Sequence, residues 1–568
     1  MFSATKKITR LGQWTGRTRS SRSLEPMLRR VAHRDVMARL AVVWATTVAV
    51  TLLAVGWGPS FLFRTGQIYP YDIKARVDFQ IVSERDLAEP EAGTQTLLEK
   101  HPRGTLIVPA GHPIQDRHLD QLQDEHIAYL ISLGPDHHWT RGAALFLIYS
   151  LLTAMVVMYV ARFQAGLAES LPMIAGVCVL ILLTFGLCLL LSQAPWHAVI
   201  LPLTITAMVL TLAYNPQFAL LMSLSLALAM TAVLGTSVER LLEQMAGLAT
   251  SILLLRNVRT RTQLVQVATF AGGVYSAMTL ATGVLTGQTW WLIGSDAFRH
   301  FLWGSFAGFL LTGLLPLVER CFGIVTDISL LELADGSHPL LQELVKRAPG
   351  TYTHSITVAT LAEAAAEAVA ANPLLVRVGS YFHDVGKMLK PQYFIENQSG
   401  ENRHDLLEPA LSTLVIIGHV KDGLALAAQY HLPEPITDFI AQHHGTTLVE
   451  YFYREAMRIQ ESAGHGTQEL EACFRYPGPK PQNRENGLVM LADAVESTSR
   501  SLANPTPASL QKMVHDLLMK RLLDGQFEES GLTLTELHLI EESLTKSLIA
   551  LFHARIKYPD ADELPRAA

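Results

Sequence analysis

Seven histidine and aspartate residues in the C-terminal half of the chain have the types and pairing of metal ligands. Neutral imidazole and carboxylate together suit ions such as manganese, iron and zinc. No cysteine is among them, which argues against a structural zinc site and favours an open, catalytic one. The seven are His354, His383, Asp384, His419, His443, His444 and Asp493.

Their number and spacing carry the argument, because each residue alone has an ordinary structural explanation. A lone histidine on an apolar helix is more often a hydrogen-bonded core residue than a ligand, and Asp493 can equally bond a neighbouring helix. Two adjacent pairs, His383-Asp384 and His443-His444, favour metal ligation over these structural explanations. One member of a pair can bind one ion while the other member serves a second. The set therefore predicts two divalent ions.

Asp384 is the candidate bridging carboxylate, and Asp384 and Lys387 are the candidate catalytic residues. Two ions about 3.5 to 4 Å apart, sharing a hydroxide, stabilise the attacking and leaving oxygens of a displacement at phosphorus. Lys387 follows Asp384 by three residues and projects to the same helical face, where it can neutralise a phosphate oxygen. A solvated surface lysine is the alternative. The chemistry implied is hydrolysis of a phosphoester.

The proline-rich segment 474–481 is a candidate substrate-binding loop. Its prolines make it stiff, it carries two cations that can reach a phosphate, and Phe474 or Tyr476 can stack on a base. The alternative is a loop that only packs on its own domain. The candidate substrate contacts are Lys387, Arg475, Lys480 and Tyr352.

The elements that position these residues are predicted to be helices. Helical periodicity dominates after Glu319, for example at 356–369 and 510–523. We expect a linker at 320–346 and an all-α domain at 347–568, which is long enough to bury its own core.

The N-terminal half is predicted to lie in a lipid bilayer. The 568 residues are 49% hydrophobic and 17% charged, whereas soluble domains carry roughly 25% charge. Each apolar run approaches the roughly 20 residues that cross a bilayer. The run at 238–255 is the weakest because it opens with three charged residues. The eight runs are a first span at 41–63 and seven more within 142–319, near 143–161, 171–192, 196–213, 216–235, 238–255, 264–287 and 298–318.

Charge patterning sets the expected orientation of these spans. Residues 1–39 carry ten Lys and Arg against two acidic residues, so the basic segment 1–40 is expected in the cytoplasm. Eight spans return the C-terminal half to that side, together with the basic loop 256–261. No charged residue deep in a span has an evident partner in the sequence, which argues against a transporter.

A small external domain is expected between the first and second spans, at 64–141. The segment 104–111 predicts two short strands around a turn, and an amphipathic helix with Leu119, Leu122 and Ile127 follows. A purely structural domain and a sensor of an external ligand or partner are both left open. The fold expected for the whole chain is thus one span, a small α/β external domain, seven spans and an all-α domain.

The strings around the candidate ligands carry a family resemblance. The string His383-Asp-Val-Gly-Lys387, with His354 upstream and Asp493 downstream, resembles the HD superfamily of metal-dependent phosphohydrolases. Five further strings, with the preceding spans, resemble the seven-transmembrane receptors that have an intracellular HD domain. They are Gly350-Thr-Tyr-Thr-His-Ser355, Gly418-His-Val-Lys-Asp-Gly423, His443-His-Gly-Thr-Thr447, Phe474-Arg-Tyr-Pro-Gly-Pro-Lys-Pro481 and His553-Ala-Arg-Ile-Lys-Tyr-Pro559.

The resemblance implies an activity, cofactors and a location. Studied members of that family hydrolyse cyclic di-AMP to linear pApA in nucleotide signalling, with manganese or iron, at the bacterial cell membrane. The implied ligands of one ion are His354, His383, Asp384 and Asp493, and those of the other are Asp384, His419, His443 and His444. The external segment of about 78 residues is much shorter than that of family members, which puts any shared external signal in doubt.

Other functions remain open at this point. The HD enzymes for cyclic di-GMP carry Gly-Tyr-Pro soon after a His-His pair, whereas Gly445-Thr-Thr-Leu-Val449 follows here. A nucleotide monophosphohydrolase needs only four of the ligands. A transmembrane receptor whose HD domain binds nucleotide as a sensor is a different class, and a homo-oligomer is left open. The net charge of -6 gives no reason to expect DNA or RNA as a partner.

Overall fold

The computed structural model describes residues 25–85, 95–255, 258–398, 400, 402–463, 471–502 and 505–553. Most of the predicted basic segment and the string from 554 to 559 lie outside the described residues. Two compact units are present, an N-terminal unit formed by Met1–Arg256 and Thr262–Phe322 and a C-terminal unit formed by Asn257–Arg261 and Gly323–Ala568.

Each of the eight predicted spans coincides with a helix of the N-terminal unit. Proline and glycine set several of the boundaries: Pro216 is the first residue of one helix, and Gly235, with φ of 67°, ends it. The helices are α1 (Glu25–Trp57), α2 (Asp116–Ser132), α3 (Pro135–Phe163), α4 (Ala165–Glu169), α5 (Leu171–Leu191), α6 (Ile200–Ala213), α7 (Pro216–Leu234), α8 (Val238–Leu254), α9 (Arg261–Leu285) and α10 (Trp290–Phe322).

Six of these helices are long and apolar enough to cross a membrane, namely α1, α3, α5, α7, α9 and α10. The predicted spans at 196–213 and 238–255 form α6 and α8, of 14 and 17 residues, which fall short of the roughly 20 that a crossing needs. Among the described residues a seventh helix, Pro409–Gln429, is equally long and apolar. It belongs to the C-terminal unit and carries His419.

Buried charges near the starts of two helices of the N-terminal unit have partners. Asp296 in α10 accepts two hydrogen bonds from Arg64, at 2.8 and 2.6 Å, and Arg240 lies 3.0 Å from Glu243 in α8. Asp296 and Glu243 are both buried. Pairing offsets much of the cost of removing these carboxylates from water. These pairs lie near the starts of α8 and α10 and not deep in a span, so the argument against a transporter stays a prediction.

The segment after α1 folds into the small α/β domain that the sequence predicts, with different strands. Strand β1 (Ile73–Lys74) pairs with β4 (Leu106–Val108), and β2 (Phe79–Arg85) pairs with β3 (Gln95–His101), both antiparallel. The prediction of two strands within 104–111 is wrong. Only 106–108 is a strand there, because Pro109 cannot donate a ladder hydrogen bond and the pairing partner lies upstream.

Helix α2 packs its apolar side on this sheet, but not with all the predicted residues. Leu122 is buried and Leu119 packs against the same cluster, whereas Ile127 is 49% exposed. Glu125 is buried instead, since Arg76 lies 2.7 Å from its carboxylate. The hydrophobic pattern predicts that Glu125 faces solvent, whereas in the structure it is buried in an ion pair.

The C-terminal unit is all-α, as predicted. Its described part contains ten α-helices and short 3-10 helices, the latter mostly between 385 and 406, and one isolated bridge between Leu448 and Arg475. The α-helices are α11 (Asp327–Leu333), α12 (Pro339–Arg347), α13 (Pro349–Ala368), α14 (Pro373–Phe382), α15 (Pro409–Gln429), α16 (Glu434–Gln442), α17 (Glu450–Ala463), α18 (Arg484–Ser499), α19 (Pro507–Leu523) and α20 (Leu534–His553).

Most of the segment 320–346, predicted as a linker, is part of this domain. It forms α11 and α12, whose Leu330, Leu340 and Leu344 are buried in one cluster with Phe382. A second cluster joins α13 to α18, α19 and α20. Helices α13 and α14 lie between the two cores, and the candidate ligands project from this region.

Candidate metal centre

Five segments bring the seven candidate ligands together. His354 lies near the start of α13, His383 and Asp384 follow the end of α14, and the remaining ligands come from α15, from the end of α16 and from α18. The ligand atoms form two groups whose members all lie within 4.8 Å of one another. The groups are His354, His383, Asp384 and Asp493, and Asp384, His419, His443 and His444.

Asp384 belongs to both groups, and each of its oxygens faces one of them. Its Oδ2 lies 3.4 Å from His354 Nε2 and 3.2 Å from His383 Nε2. Its Oδ1 lies 3.3 Å from His419 Nε2 and 3.6 Å from His443 Nε2. This is the geometry that a bridging carboxylate requires.

Asp493 also reaches both groups, which the sequence did not suggest. Its Oδ1 lies 3.0 Å from His354 Nε2, and its Oδ2 lies 3.7 Å from His444 Nδ1. The side chain of His444 is 20% exposed, whereas the other six ligands are buried. The centre therefore opens to solvent beside His444.

Main-chain carbonyls orient three of the imidazoles. His383, His419 and His443 donate Nδ1–H to carbonyls three or four residues earlier, at 2.7, 2.6 and 2.9 Å respectively. A carbonyl can only accept, so Nδ1 carries the hydrogen and Nε2 faces the carboxylates. These rings are held for ligation by the turns that carry them.

Glu496 orients the fourth imidazole and was missed in the sequence. Its Oε2 lies 2.5 Å from His354 Nδ1, and its other oxygen accepts a 2.7 Å hydrogen bond from Arg500. Carboxylates commonly orient metal-binding histidines in this way. The available signal was its spacing: Glu496 follows Asp493 by three residues on one face of α18.

The centre fits divalent ions because several of its buried polar atoms make no hydrogen bond. Within the described part of the chain, these include His354 Nε2, His383 Nε2 and Asp384 Oδ1. Each such atom costs about 1 to 3 kcal/mol. Imidazole lone pairs here face carboxylate oxygens, an arrangement that is stable only with a proton or a metal ion between them. The donor set of nitrogen and oxygen suits manganese, iron or zinc.

The two groups differ in protonation. Burial alone lowers an imidazole pKa, but the Asp384 and Asp493 carboxylates outweigh it and raise the pKa of His383 to about 9. They likewise hold the pKa of His354 well above its usual value. In the other group burial prevails, lowering the pKa of His419 to about 4. Without metal at neutral pH, His354 and His383 are protonated, whereas His419 and His444 are neutral.

Metal affinity should therefore depend on pH more strongly at the first group. An ion entering beside His383 must displace protons, so its affinity should rise up to about tenfold per pH unit for each proton released, between about pH 6 and 9. The ion beside His419 and His444 should depend less on pH, because the lowered pKa of each of these imidazoles leaves no proton to displace. Calorimetric Mn²⁺ titration of the metal-stripped full chain at three pH values, in buffers of different ionisation enthalpy, measures both. Equal pH dependence at the two groups would contradict this assignment.

Lys387 lies inside the centre and not on the surface. Its Nζ is 2.6 Å from Asp384 Oδ2 and 3.2 Å from Glu396 Oε1, and it sits 5.2 Å from the centroid of the Phe394 ring. These two carboxylates keep it protonated, since they outweigh burial and raise its pKa above the usual value. Its positive charge is fixed beside the bridging carboxylate.

The other candidate substrate contacts are placed less favourably. Arg475 lies 2.9 Å from Asp524 Oδ1 and 2.7 Å from Glu471, and Lys480 lies 2.8 Å from Glu528. Their charges are already compensated by these carboxylates. A phosphate would have to compete with these carboxylates to bind either residue.

The three aromatic candidates differ in whether their rings reach the metal centre. Phe474 is 2% exposed and packs on Tyr453. It therefore cannot stack on a base, which the sequence had allowed. Tyr476 reaches the centre, with its ring centroid 4.3 Å from that of His444. Tyr352 is half-buried and packs against the core cluster that contains Phe382.

Comparison with known proteins assigns both halves of the chain. Residues 139–326 match the family described as "7TM receptor with intracellular HD hydrolase", and residues 351–498 match the HD domain. The cyclic-di-AMP phosphodiesterase PgpH of Bacillus subtilis is 35% identical over 74% of this chain and 60% of its own length. The Listeria monocytogenes protein of the same name is 34% identical over 86% of this chain and 69% of its own length.

A solved structure gives a further match to the C-terminal unit. The crystal structure of the L. monocytogenes phosphodiesterase PgpH HD domain in complex with cyclic-di-AMP is 44% identical, covering 38% of this chain and 99% of that chain, with a TM-score of 0.36. An HD domain binds divalent metal ions, and the apolar helices make this a multi-pass membrane protein. With both halves matched and more than two thirds of the Listeria relative covered, the chain belongs to the family of seven-transmembrane receptors with an intracellular HD hydrolase.

Proposed function

We propose that this protein is a membrane-bound phosphodiesterase that hydrolyses cyclic di-AMP to linear pApA with two manganese or iron ions. The observation that carries the proposal is Asp384, whose two oxygens each face a separate group of imidazoles. Two relatives are named as cyclic-di-AMP phosphodiesterases, although the chain spans only 60% of the first and 69% of the second.

The ligand groups define what each ion would contact. One would be held by His354, His383, Asp384 and Asp493, and the other by Asp384, His419, His443 and His444. When bound, such ions activate water for attack and neutralise charge on a phosphoryl group. These assignments rest on the distances between the ligand atoms and on the orientation of the imidazoles.

The protein's own groups complete the proposed chemistry. Lys387, fixed 2.6 Å from Asp384 Oδ2, places a positive charge where a non-bridging phosphate oxygen would bind. The four imidazoles held at Nδ1 need no reorientation during the reaction, and such preorganisation is a main source of electrostatic catalysis. The opening beside His444 supplies the route for substrate.

The competing functions are less well supported. His443-His444 is not followed by Gly-Tyr-Pro, which disfavours cyclic di-GMP as substrate. A nucleotide monophosphohydrolase would leave His419, His443 and His444 without a role. A receptor that only binds nucleotide would not need two complete ligand groups. We further propose that the N-terminus and the HD domain face the cytoplasm of a bacterial cell, on the basis of the basic residues at 1–39.

An assay of the full chain in detergent or lipid nanodiscs tests the proposal. Mn²⁺- or Fe²⁺-loaded protein should convert cyclic di-AMP to pApA, act more slowly on cyclic di-GMP and leave pApA unchanged. Metal-stripped protein should be inactive and should recover on addition of Mn²⁺. Faster turnover of cyclic di-GMP would contradict the substrate, and binding of cyclic di-AMP without turnover would favour the receptor.

A further inference from the structure

A cavity of about 280 Å³ lies among helices α1, α3, α5 and α7 of the N-terminal unit. Most of its walls are apolar side chains, such as those of Val43, Val156, Ile181 and Leu226. Apolar cavities stay free of water, because a water molecule needs several polar partners that such walls do not offer. The cavity therefore suits an apolar ligand.

The hydroxyl groups in the walls already have partners. Thr46 donates to a carbonyl of its own helix at 2.9 Å, and Tyr149 donates to the carbonyl of Ala229 at 3.3 Å. The hydroxyls of Thr47 and Thr153 bond to each other at 3.0 Å. A polar ligand would have to break these bonds, whereas an apolar one leaves them in place.

The cavity runs along α1, with one end exposed and the other buried. Val36 and Leu40 are 45% and 46% exposed, whereas Val50 and Tyr149 are 7% and 4% exposed. From Leu40 to Val50 the helix rises about 15 Å, so this volume corresponds to a width of roughly 5 Å over that length. A hydrocarbon chain fits, since carbon atoms pack at about 3.5 to 4 Å, but an α-helix of about 10 Å does not.

Arg39 lies at the exposed end, between Val36 and Leu40 on α1. Among the described residues that line the cavity, it is the one that carries a charge. Its Nη1 donates to the carbonyl of Ala168 at 3.1 Å, and its Nε is buried without a hydrogen bond. Within the described part of the chain, no carboxylate pairs with it. A guanidinium in this setting favours an anion whose oxygens can bind its planar fork.

The position of Arg39 in the chain indicates which anion is available to it. The first membrane helix spans Asp35–Trp57, so Arg39 lies near the level of the lipid headgroups and Val50 lies deeper, among the acyl chains. Residues 1–39 carry ten Lys and Arg against two acidic residues, and such basic segments beside a membrane helix attract anionic lipids. A phospholipid joins a phosphate to an acyl chain in this same order.

We propose that the cavity binds one acyl chain of an anionic phospholipid from the bilayer, with the phosphate of that lipid on Arg39. The bound chain fills the space between α1 and helices α3, α5 and α7. The site is separate from the metal centre, because every residue in it belongs to the N-terminal unit. It therefore does not depend on the proposed phosphodiesterase activity.

Native mass spectrometry of the full chain, stripped of lipid in detergent, tests the site with two added lipids. One dioleoyl phosphatidylglycerol per chain should bind at least about 10-fold more tightly than dioleoyl phosphatidylcholine, whose choline group partly compensates the phosphate charge. Arg39→Gln should weaken phosphatidylglycerol binding about 10-fold, and Arg39→Lys should restore part of it. Val43→Phe, which fills the cavity, should weaken binding of both lipids.

Arg162→Gln is the matched control. Arg162 lies in the last turn of α3, directly after the cavity residue Ala161, but its guanidinium lies over the Phe163 ring, 5.4 Å from the centroid. This variant should bind both lipids as the unaltered protein does.

Three results would overturn the proposal. Phosphatidylglycerol affinity that is unchanged in Arg39→Gln would remove the headgroup contact. Equal losses in Arg39→Gln and Arg162→Gln would reduce the effect to general attraction by a basic surface. Tighter binding of oleate than of phosphatidylglycerol would assign the cavity to a free fatty acid. Unfolding temperatures of the lipid-free variants, expected to match that of the unaltered protein, separate each loss from misfolding.

Discussion

Replacing Asp384 with Asn should abolish phosphodiesterase activity, lowering kcat/KM at least about 1,000-fold. Asp384 is fully buried, and its oxygens lie 3.2 to 3.6 Å from four different imidazoles. Asparagine removes the charge and turns one of these acceptors into a donor, so neither ion would keep its full ligand set. A loss of about 4 kcal/mol of transition-state stabilisation corresponds to this factor.

Metal content and turnover of the full chain measure this effect together. The variant should bind fewer than two Mn²⁺ per chain while its helical content stays unchanged. Asp422→Asn is the control, because Asp422 lies 3.0 Å from Lys390 in a solvent-accessible ion pair, and such pairs contribute little. Retention of two ions and of turnover by the Asp384 variant would rule out a bridging carboxylate at this position.

Replacing Gly386 with Ala should destabilise the C-terminal unit by about 3 kcal/mol or more. A Cβ at Gly386 would lie 1.9 Å from the carbonyl oxygen of His419 and 2.5 Å from the amide nitrogen of Gly423. Both contacts are with main chain, so no side-chain rotation relieves them. Helix α15 must move away and carry His419 with it. A displacement of 1 Å at a catalytic group costs about 100-fold in rate.

Calorimetry of the full chain should show the C-terminal transition lowered by about 6 to 12 °C. Gly418→Ala is the control, since a Cβ there meets nothing within 4 Å. Gly418 lies inside α15, where alanine gains up to about 1 kcal/mol in helix propensity. That variant should be as active as the unaltered protein. Similar behaviour of the two variants would mean that the close approach at Gly386 is not needed.

Candidate ligands could be selected from the sequence because metal chemistry restricts the residue types. Two adjacent pairs, His383-Asp384 and His443-His444, are hard to explain by packing alone, and the structure brings both pairs to one place. The orientation of the His354 ring was not predicted, since it depends on Glu496, which is 142 residues away in the sequence. The other three oriented rings are held by carbonyls three or four residues earlier.

Charge pairing between residues far apart in the sequence limits what a local reading can predict. Arg475 and Lys480 are cations in a proline-rich loop, and nothing local in the sequence shows that Asp524 and Glu528 neutralise them. The same holds for Glu125, buried against Arg76 in the small α/β domain. Hydropathy located the membrane helices well because lipid imposes a length on each helix separately, whereas ion pairs depend on the whole fold.

The carbonyl groups that hold three of the imidazoles bear on how this protein tolerates mutation. Every residue type provides a main-chain oxygen, so the side chains at Ser380, Ile416 and Phe439 can vary without releasing His383, His419 or His443. His354 is different, because its orientation depends on the side chain of Glu496. Sequence variation around the centre should therefore be constrained unevenly. Among the described groups that orient these four imidazoles, Glu496 is the one whose acceptor a point mutation removes.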